Sequence, residues 1–306
     1  MVELFFLKKK FILIMNSIYQ NYSAVIICTF GWICYLINDL LIKHLSVTFS
    51  SVQLNFFNFS FGLIPFFIFL YYKGGFKNLR TKNYKIQILS SLIRLLTTIC
   101  FFYAISTLPL AELYSVFFSI PIFVSLLSII LLKEKISFKT VVYIFIGFVG
   151  VLIIFRPGFK EFSPGLYVAL LAVSAYSLLH ILVRKHSNTE SPIAFTFYQI
   201  SLAIIVTGIL TFFVFGFKSY TLSQLILNFI CGILHIGAIL SLMIAYQMAE
   251  AHKLAYVQYI QIFLGFILGY LIFNEVPGIF IYLGCSLILI SVTFIVKEAK
   301  NSRVYK

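Results

Sequence analysis

The stretch "SIPIFVSLLSIILLKEKIS", residues 119–137, and a second apolar run of similar length, "IQIFLGFILGYLIFNEVPG", residues 260–278, decide the fold. Each is an apolar run that stops at a glutamate, Glu134 in the first and Glu275 in the second. The two glutamates stand 141 residues apart. The same offset carries Lys43 onto Arg184, Ser50 onto Ser191, Ala104 onto Ala245, Leu113 onto Leu254 and Val116 onto Val257. No gap is needed from about residue 43 to residue 137. One match between apolar strings means little, but a constant offset implies a repeated unit.

The solvent of that unit follows from composition. The chain is 61% hydrophobic and only 10% charged, with a mean hydropathy of +1.05. Soluble domains carry about 25% charged residues. A bilayer core about 30 Å thick asks a spanning helix for about 20 mostly apolar residues. Ten segments meet that demand: 22–41, 52–72, 86–106, 111–132, 139–155, 164–183, 192–215, 223–246, 252–273 and 278–296. Short alternating segments would indicate a barrel, but these long runs predict helices that satisfy their own backbone hydrogen bonds. Ten spans divide into five and five. Five is odd, so the second copy enters the bilayer inverted, and inverted repeats place a substrate site near the midplane.

Charge sets the expected orientation. With the N-terminus inside, eighteen of the 23 lysines and arginines fall on the inner side and four on the outer, with Arg94 left within a helix. This positive-inside bias predicts both termini in the cytoplasm. The net charge of +14 is then a topology signal facing an anionic leaflet, and nucleic acid is not an expected partner. Five cysteines fall inside the expected helices without a CxxC pair, so neither a disulfide framework nor a zinc site is expected. Residues 1–21 read as a cytoplasmic segment without a signal-peptide cleavage site. Met15 is a candidate start, since residues 1–14 add nothing a carrier needs.

The stretch "ISTLPLAELYSVFFSIPIFVSLLSIILLKEKISFKTVVYIFIGFVGVLIIFRPG", with Gly147, Gly150, Pro157 and Gly158, resembles the first EamA repeat of the drug/metabolite transporter superfamily. "YLIFNEVPGIFIYLGCSLIL" is similar to the second. The likeness runs from about residue 23 to residue 297. It implies an all-α integral membrane protein, with ten transmembrane helices as two inverted five-helix EamA repeats at 22–158 and 159–297, and a tail at 298–306. It also implies a cavity lined by the first, third, fourth, sixth, eighth and ninth helices. Within the superfamily, "INDLLIKHLS", "LIRLL", "FSIPIF" and "FSPGLYVALLAVSAYSLLH" resemble the S-adenosylmethionine uptake carriers of obligate intracellular bacteria. Three positions depart from them. Asn58 stands where an arginine is frequent, and Gln258 and Gln261 replace an arginine and a glutamate.

Ionisable groups in hydrocarbon cost at least ~2.5–3.5 kcal/mol by insertion scales, so they face a cavity or a partner. Trp32, Tyr35 and Asp39 share one helix face. They form either a site for a flat or cationic group or an interfacial belt with a wetted carboxylate. Arg94 offers its fork to a carboxylate, or snorkels. Glu112 begins the fourth span, where a helix dipole alone favours an acid, and otherwise meets a substrate ammonium or a proton. His180 and His235 are intramembrane imidazoles for a substrate, a proton or an interhelical hydrogen bond. Tyr176 sits one turn before His180. Gln258 and Gln261 are site candidates or polar glue beside the GxxxG of Gly265 and Gly269.

No HExxH, GxSxG or P-loop is present, so catalysis, metal and cofactor are not expected. The expected function is secondary transport of a small polar metabolite across a bacterial inner membrane by alternating access. The resemblance makes S-adenosylmethionine, taken up or exchanged, the leading substrate. An exporter of amino acids or other small metabolites is the alternative within that class. A non-transporting membrane scaffold or lipid-processing protein is the alternative outside it.

Overall fold

The structure, a computed structural model, describes residues 2–133, 138–155, 163–186, 189–248 and 259–304. All its regular elements are helices: α1 (Val2–Ser46), α2 (Ser51–Tyr72), α3 (Tyr84–Thr107), α4 (Leu110–Phe117), α5 (Ile120–Leu132), α6 (Phe138–Phe155), α7 (Pro164–Lys185), α8 (Pro192–Ile209), α9 (Leu222–Met248), α10 (Tyr259–Phe273) and α11 (Ile279–Val304). A 3₁₀ turn follows α2 at Gly75–Leu79, and a π turn extends α8 over Leu210–Val214. Among the described residues, seven stretches are long and apolar enough to cross a membrane: Ser23–Ser46, Ser51–Tyr72, Tyr84–Thr107, Leu110–Leu132, Pro164–Lys185, Pro192–Val214 and Leu222–Ala245. Phe138–Ile154, Leu264–Phe273 and Ile279–Ile295 are shorter apolar helices.

Local chemistry sets the helix ends. The Ser50 hydroxyl accepts from Gln53 N at 3.3 Å, and the Asn83 side chain accepts from Ile86 N at 3.3 Å. Both satisfy amides that a helix leaves without a partner. Ser191 caps α8, with Pro192 at its first position, where the missing N–H costs nothing. The sequence predicts one helix over 111–132, but the structure breaks it at Phe118–Ser119 into α4 and α5. Pro121 has no N–H for the turn before it, and the Ser119 hydroxyl turns back to the Val116 carbonyl instead.

The repeat is visible in three dimensions. α1 packs on α9, and its offset counterpart α7 packs on α3. α2 packs on α9, and its counterpart α8 packs on α3. α6 crosses α11 with Gly150 against Gly284, where an added Cβ would lie 2.7 Å and 2.6 Å from the facing carbonyl oxygens. The same crossing recurs one offset along, where the Ser291 hydroxyl donates to the Tyr143 carbonyl. Lys133 and Asn274, 141 residues apart, both take left-handed backbone, with φ of 54° and 53°. Each ends its helix immediately before a glutamate. Glu134 itself lies outside the described residues.

Candidate functional site

One cavity of about 460 Å³ lies between the two repeats. Its walls come from α1, α3, α4, α5, α7, α9 and α10. Of the ten residues singled out in the sequence, eight line it: Trp32, Tyr35, Asp39, Arg94, Tyr176, His180, His235 and Gln261. Glu112 is buried in the first turn of α4 and is not among the lining residues. Gln258 lies outside the described residues.

Asp39 is 3% exposed. Its Oδ2 accepts from the Tyr114 hydroxyl at 2.9 Å and from Gln261 Nε2 at 3.1 Å. Asn38 Nδ2 stands 3.4 Å from Oδ1, and Asn58 Nδ2 donates to Asn38 Oδ1 at 2.9 Å. The carboxylate is thus fixed by neutral donors from α4, α10 and α1, without a paired cation among the described residues. Gly265 makes room for this arrangement, because a Cβ there would fall 2.5 Å from the Tyr114 ring. The small residues of the GxxxG therefore bring α10 against the donor that holds Asp39, the close approach such spacing permits.

Arg94 is held from the side. Its Nε donates to Gln199 Oε1 at 3.2 Å, and its guanidinium carbon lies 5.7 Å from the centre of the Tyr176 ring. Among the described residues no hydrogen bond occupies the terminal nitrogens of the fork, which suit a planar acceptor. The offset relates Gln199 to Asn58, so the position that steadies Arg94 in one repeat steadies the Asp39 neighbourhood in the other. It also pairs Tyr35 with Tyr176 and Asp39 with His180. The rings of Tyr176 and His180 meet edge-on at 4.5 Å. Tyr114, Thr97, Thr98 and Gln199 were not selected from sequence; the 141 offset from Asn58 is the one signal that could have pointed to Gln199.

Polar ties close both ends of the helix bundle around this cavity. At one end, Lys43 Nζ pairs with Glu275 Oε1 at 2.5 Å and donates to the Leu108 carbonyl at 2.7 Å. Glu275 Oε2 accepts the Leu110 N–H at 2.6 Å. Lys43 is one turn beyond Asp39 on the same helix face. At the opposite end, Glu190 accepts from the Thr81 hydroxyl at 2.6 Å, the Lys82 N–H at 3.0 Å and Gln87 Nε2 at 2.8 Å. Burial pushes the Glu190 carboxyl up, but these hydrogen bonds outweigh it and hold the group below its ordinary value.

The sequence pattern of the EamA-like transporter family matches residues 22–156 and again residues 163–297. The chain is 29% identical to an S-adenosylmethionine uptake transporter of Rickettsia bellii, over 94% of this chain and 98% of that one. It is 23% identical to a pseudopaline exporter of Pseudomonas aeruginosa, over 88% of this chain and 94% of that one. A solved crystal structure superposes with a TM-score of 0.65 at 18% identity, covering 93% of this chain and 99% of that chain, which supports the fold. These named relatives are transporters, not enzymes.

Proposed function

We propose, from the premise that this chain belongs to the EamA-like transporter family, that it carries S-adenosylmethionine across a bacterial inner membrane, by uptake or exchange. The observation that carries the reading is the polarity of the cavity. One buried carboxylate, Asp39, and one guanidinium, Arg94, line the same aromatic-walled space. S-adenosylmethionine presents a sulfonium and an ammonium for the first and a carboxylate for the second. Its size is compatible with a cavity within the ~300–1,000 Å³ of small-molecule sites. The Rickettsia relative supports the same substrate, being named for its uptake.

The proposed mechanism is alternating access between inverted halves. Beside the helix packing, the polar ties between halves are local: Lys43–Glu275 at one end, Glu190 with Thr81 and Gln87 at the other, and Arg94–Gln199 between them. Breaking one set and keeping the other is what rocking about a central site requires. In the proposed orientation both termini are cytoplasmic, so the Lys43 end faces outward.

The test is uptake of labelled S-adenosylmethionine into proteoliposomes, with unlabelled adenosyl compounds and unlabelled amino acids as competitors. Saturable uptake blocked by adenosyl compounds is expected. Saturable uptake of amino acids that adenosyl compounds do not inhibit would move the protein to the amino-acid carriers. No saturable uptake of either would remove the carrier reading.

A further inference from the structure

His235 sits in the middle of α9, 6% exposed and lining the cavity. Neither ring nitrogen has a hydrogen-bond partner among the described residues. Its neighbours are rings. Tyr35 meets it edge-on at 5.5 Å and 86°, and Phe59 meets it at 5.1 Å and 83°. Tyr35 in turn leans on Trp32 at 5.8 Å. This corner of the cavity offers aromatic faces and one imidazole with unspent donor and acceptor capacity.

A buried polar group without a partner is costly, and native proteins seldom leave one. The Asp39 carboxylate has its donors from Tyr114 and Gln261, and Arg94 has Gln199 and the Tyr176 face. Among the described buried residues of the lining, His235 has both ring nitrogens without a hydrogen-bond partner. A neutral imidazole presents one N–H and one lone pair. Its match is a group that is flat enough to lie among ring faces and polar along its edge. A heteroaromatic base has both properties, whereas an alkyl ammonium or a thioether chain has no edge of that kind.

We infer that His235 is a specificity-determining residue that hydrogen-bonds the edge of the substrate's heteroaromatic ring, which packs against Trp32 and Tyr35. This rests on the adenosyl reading above and adds to it an orientation: base toward Trp32, Tyr35 and His235, amino-acid end toward Asp39 and Arg94.

The experiment compares two inhibitors of labelled S-adenosylmethionine uptake by the full chain. One is unlabelled S-adenosylmethionine. The other is S-methylmethionine, which keeps the sulfonium and the amino-acid end but has no base. In His235→Phe, affinity for S-adenosylmethionine should fall by about 5-fold or more, the equivalent of one net hydrogen bond. Affinity for S-methylmethionine should stay within about 2-fold of the parent, less than such a bond is worth. The preference between the two therefore narrows, and the retained S-methylmethionine affinity reports an intact fold. Should His235→Phe fail to reach the membrane, His235→Leu, which also lacks the ring nitrogens, supplies the same ratio, and the same narrowing is expected. A proportional loss of both affinities would assign His235 to packing and overturn the inference, as would an unchanged preference. If the parent itself takes up no S-adenosylmethionine, the function reading falls first and this orientation with it. That result is distinct from a parent that transports and a variant that does not discriminate.

Discussion

Asp39 carries the sharpest expectation for a single side chain. Asp39→Asn keeps the size and removes the charge. For a cationic sulfonium, losing a partly desolvated charge contact costs on the order of 1–3 kcal/mol. The apparent KM for S-adenosylmethionine should therefore rise by at least about 5-fold, read as initial uptake rate against concentration at equal expression. A neutral or anionic substrate would be unaffected or bind better. Arg94→Lys keeps the charge but not the planar fork, and it loses the Nε that Gln199 holds. Uptake should weaken while membrane insertion stays normal, and uptake unchanged from the parent in both Arg94→Lys and Arg94→Ala would relegate Arg94 to a tolerated cation. Much at this scale is legible in sequence, because a charge in an apolar run needs a reason to be there. Asp39, Arg94 and His235 stand out on that ground alone. What holds them is not legible. Tyr114 reaches Asp39 from 75 residues away, and nothing in the string around it separates it from the other 18 tyrosines of the chain. Whether His235 is satisfied by a neighbouring helix or left open is likewise a property of packing.

Helix ends and crossings set what those side chains can do. Gly265 lies against the Tyr114 ring, so Gly265→Ala must push α10 from α4 or turn Tyr114 away from Asp39. Overpacking of this kind costs about 1–3 kcal/mol. A lower melting temperature in detergent, together with reduced uptake, is expected, and an unchanged protein would show that the contact yields freely. Glu190 ties the start of α3 to the start of α8 through Thr81, Lys82 and Gln87. Its carboxyl is depressed, so its contribution to stability is complete above the ordinary carboxylate range and is lost as pH falls through the lower folded value. Melting temperature should drop on acidification below about pH 4, and Glu190→Gln should flatten that part of the curve. Helix positions follow from hydropathy, since lipid leaves the backbone few alternatives. The interruption at Ser119 does not, although Pro121 is plain in the string. A proline is tolerated near a helix start and disruptive inside one, and sequence alone does not say where a new start falls.

The molecule as a whole makes a topological claim. The basic loop 73–85 should lie in the cytoplasm and the 216–222 loop outside, as reporter fusions at the two loops would read. Both loops on one side would overturn the inverted arrangement. The two-fold was legible as an offset of 141 in the sequence, and Lys133 and Asn274 repeat it as matched left-handed residues. One more consequence follows from where the ties run. Lys43 to Glu275, Gln87 to Glu190, Gln53 to Lys218 and Arg94 to Gln199 each join one repeat to the other. In none of them does the covalent link between the repeats take part. Through these contacts the repeats meet as two members of a heterodimer would. Residues 1–158 and 159–306, produced as separate polypeptides in one cell, should find each other in the bilayer and restore uptake. Either fragment alone should transport nothing, since neither brings both Arg94 and the Gln199 that steadies it.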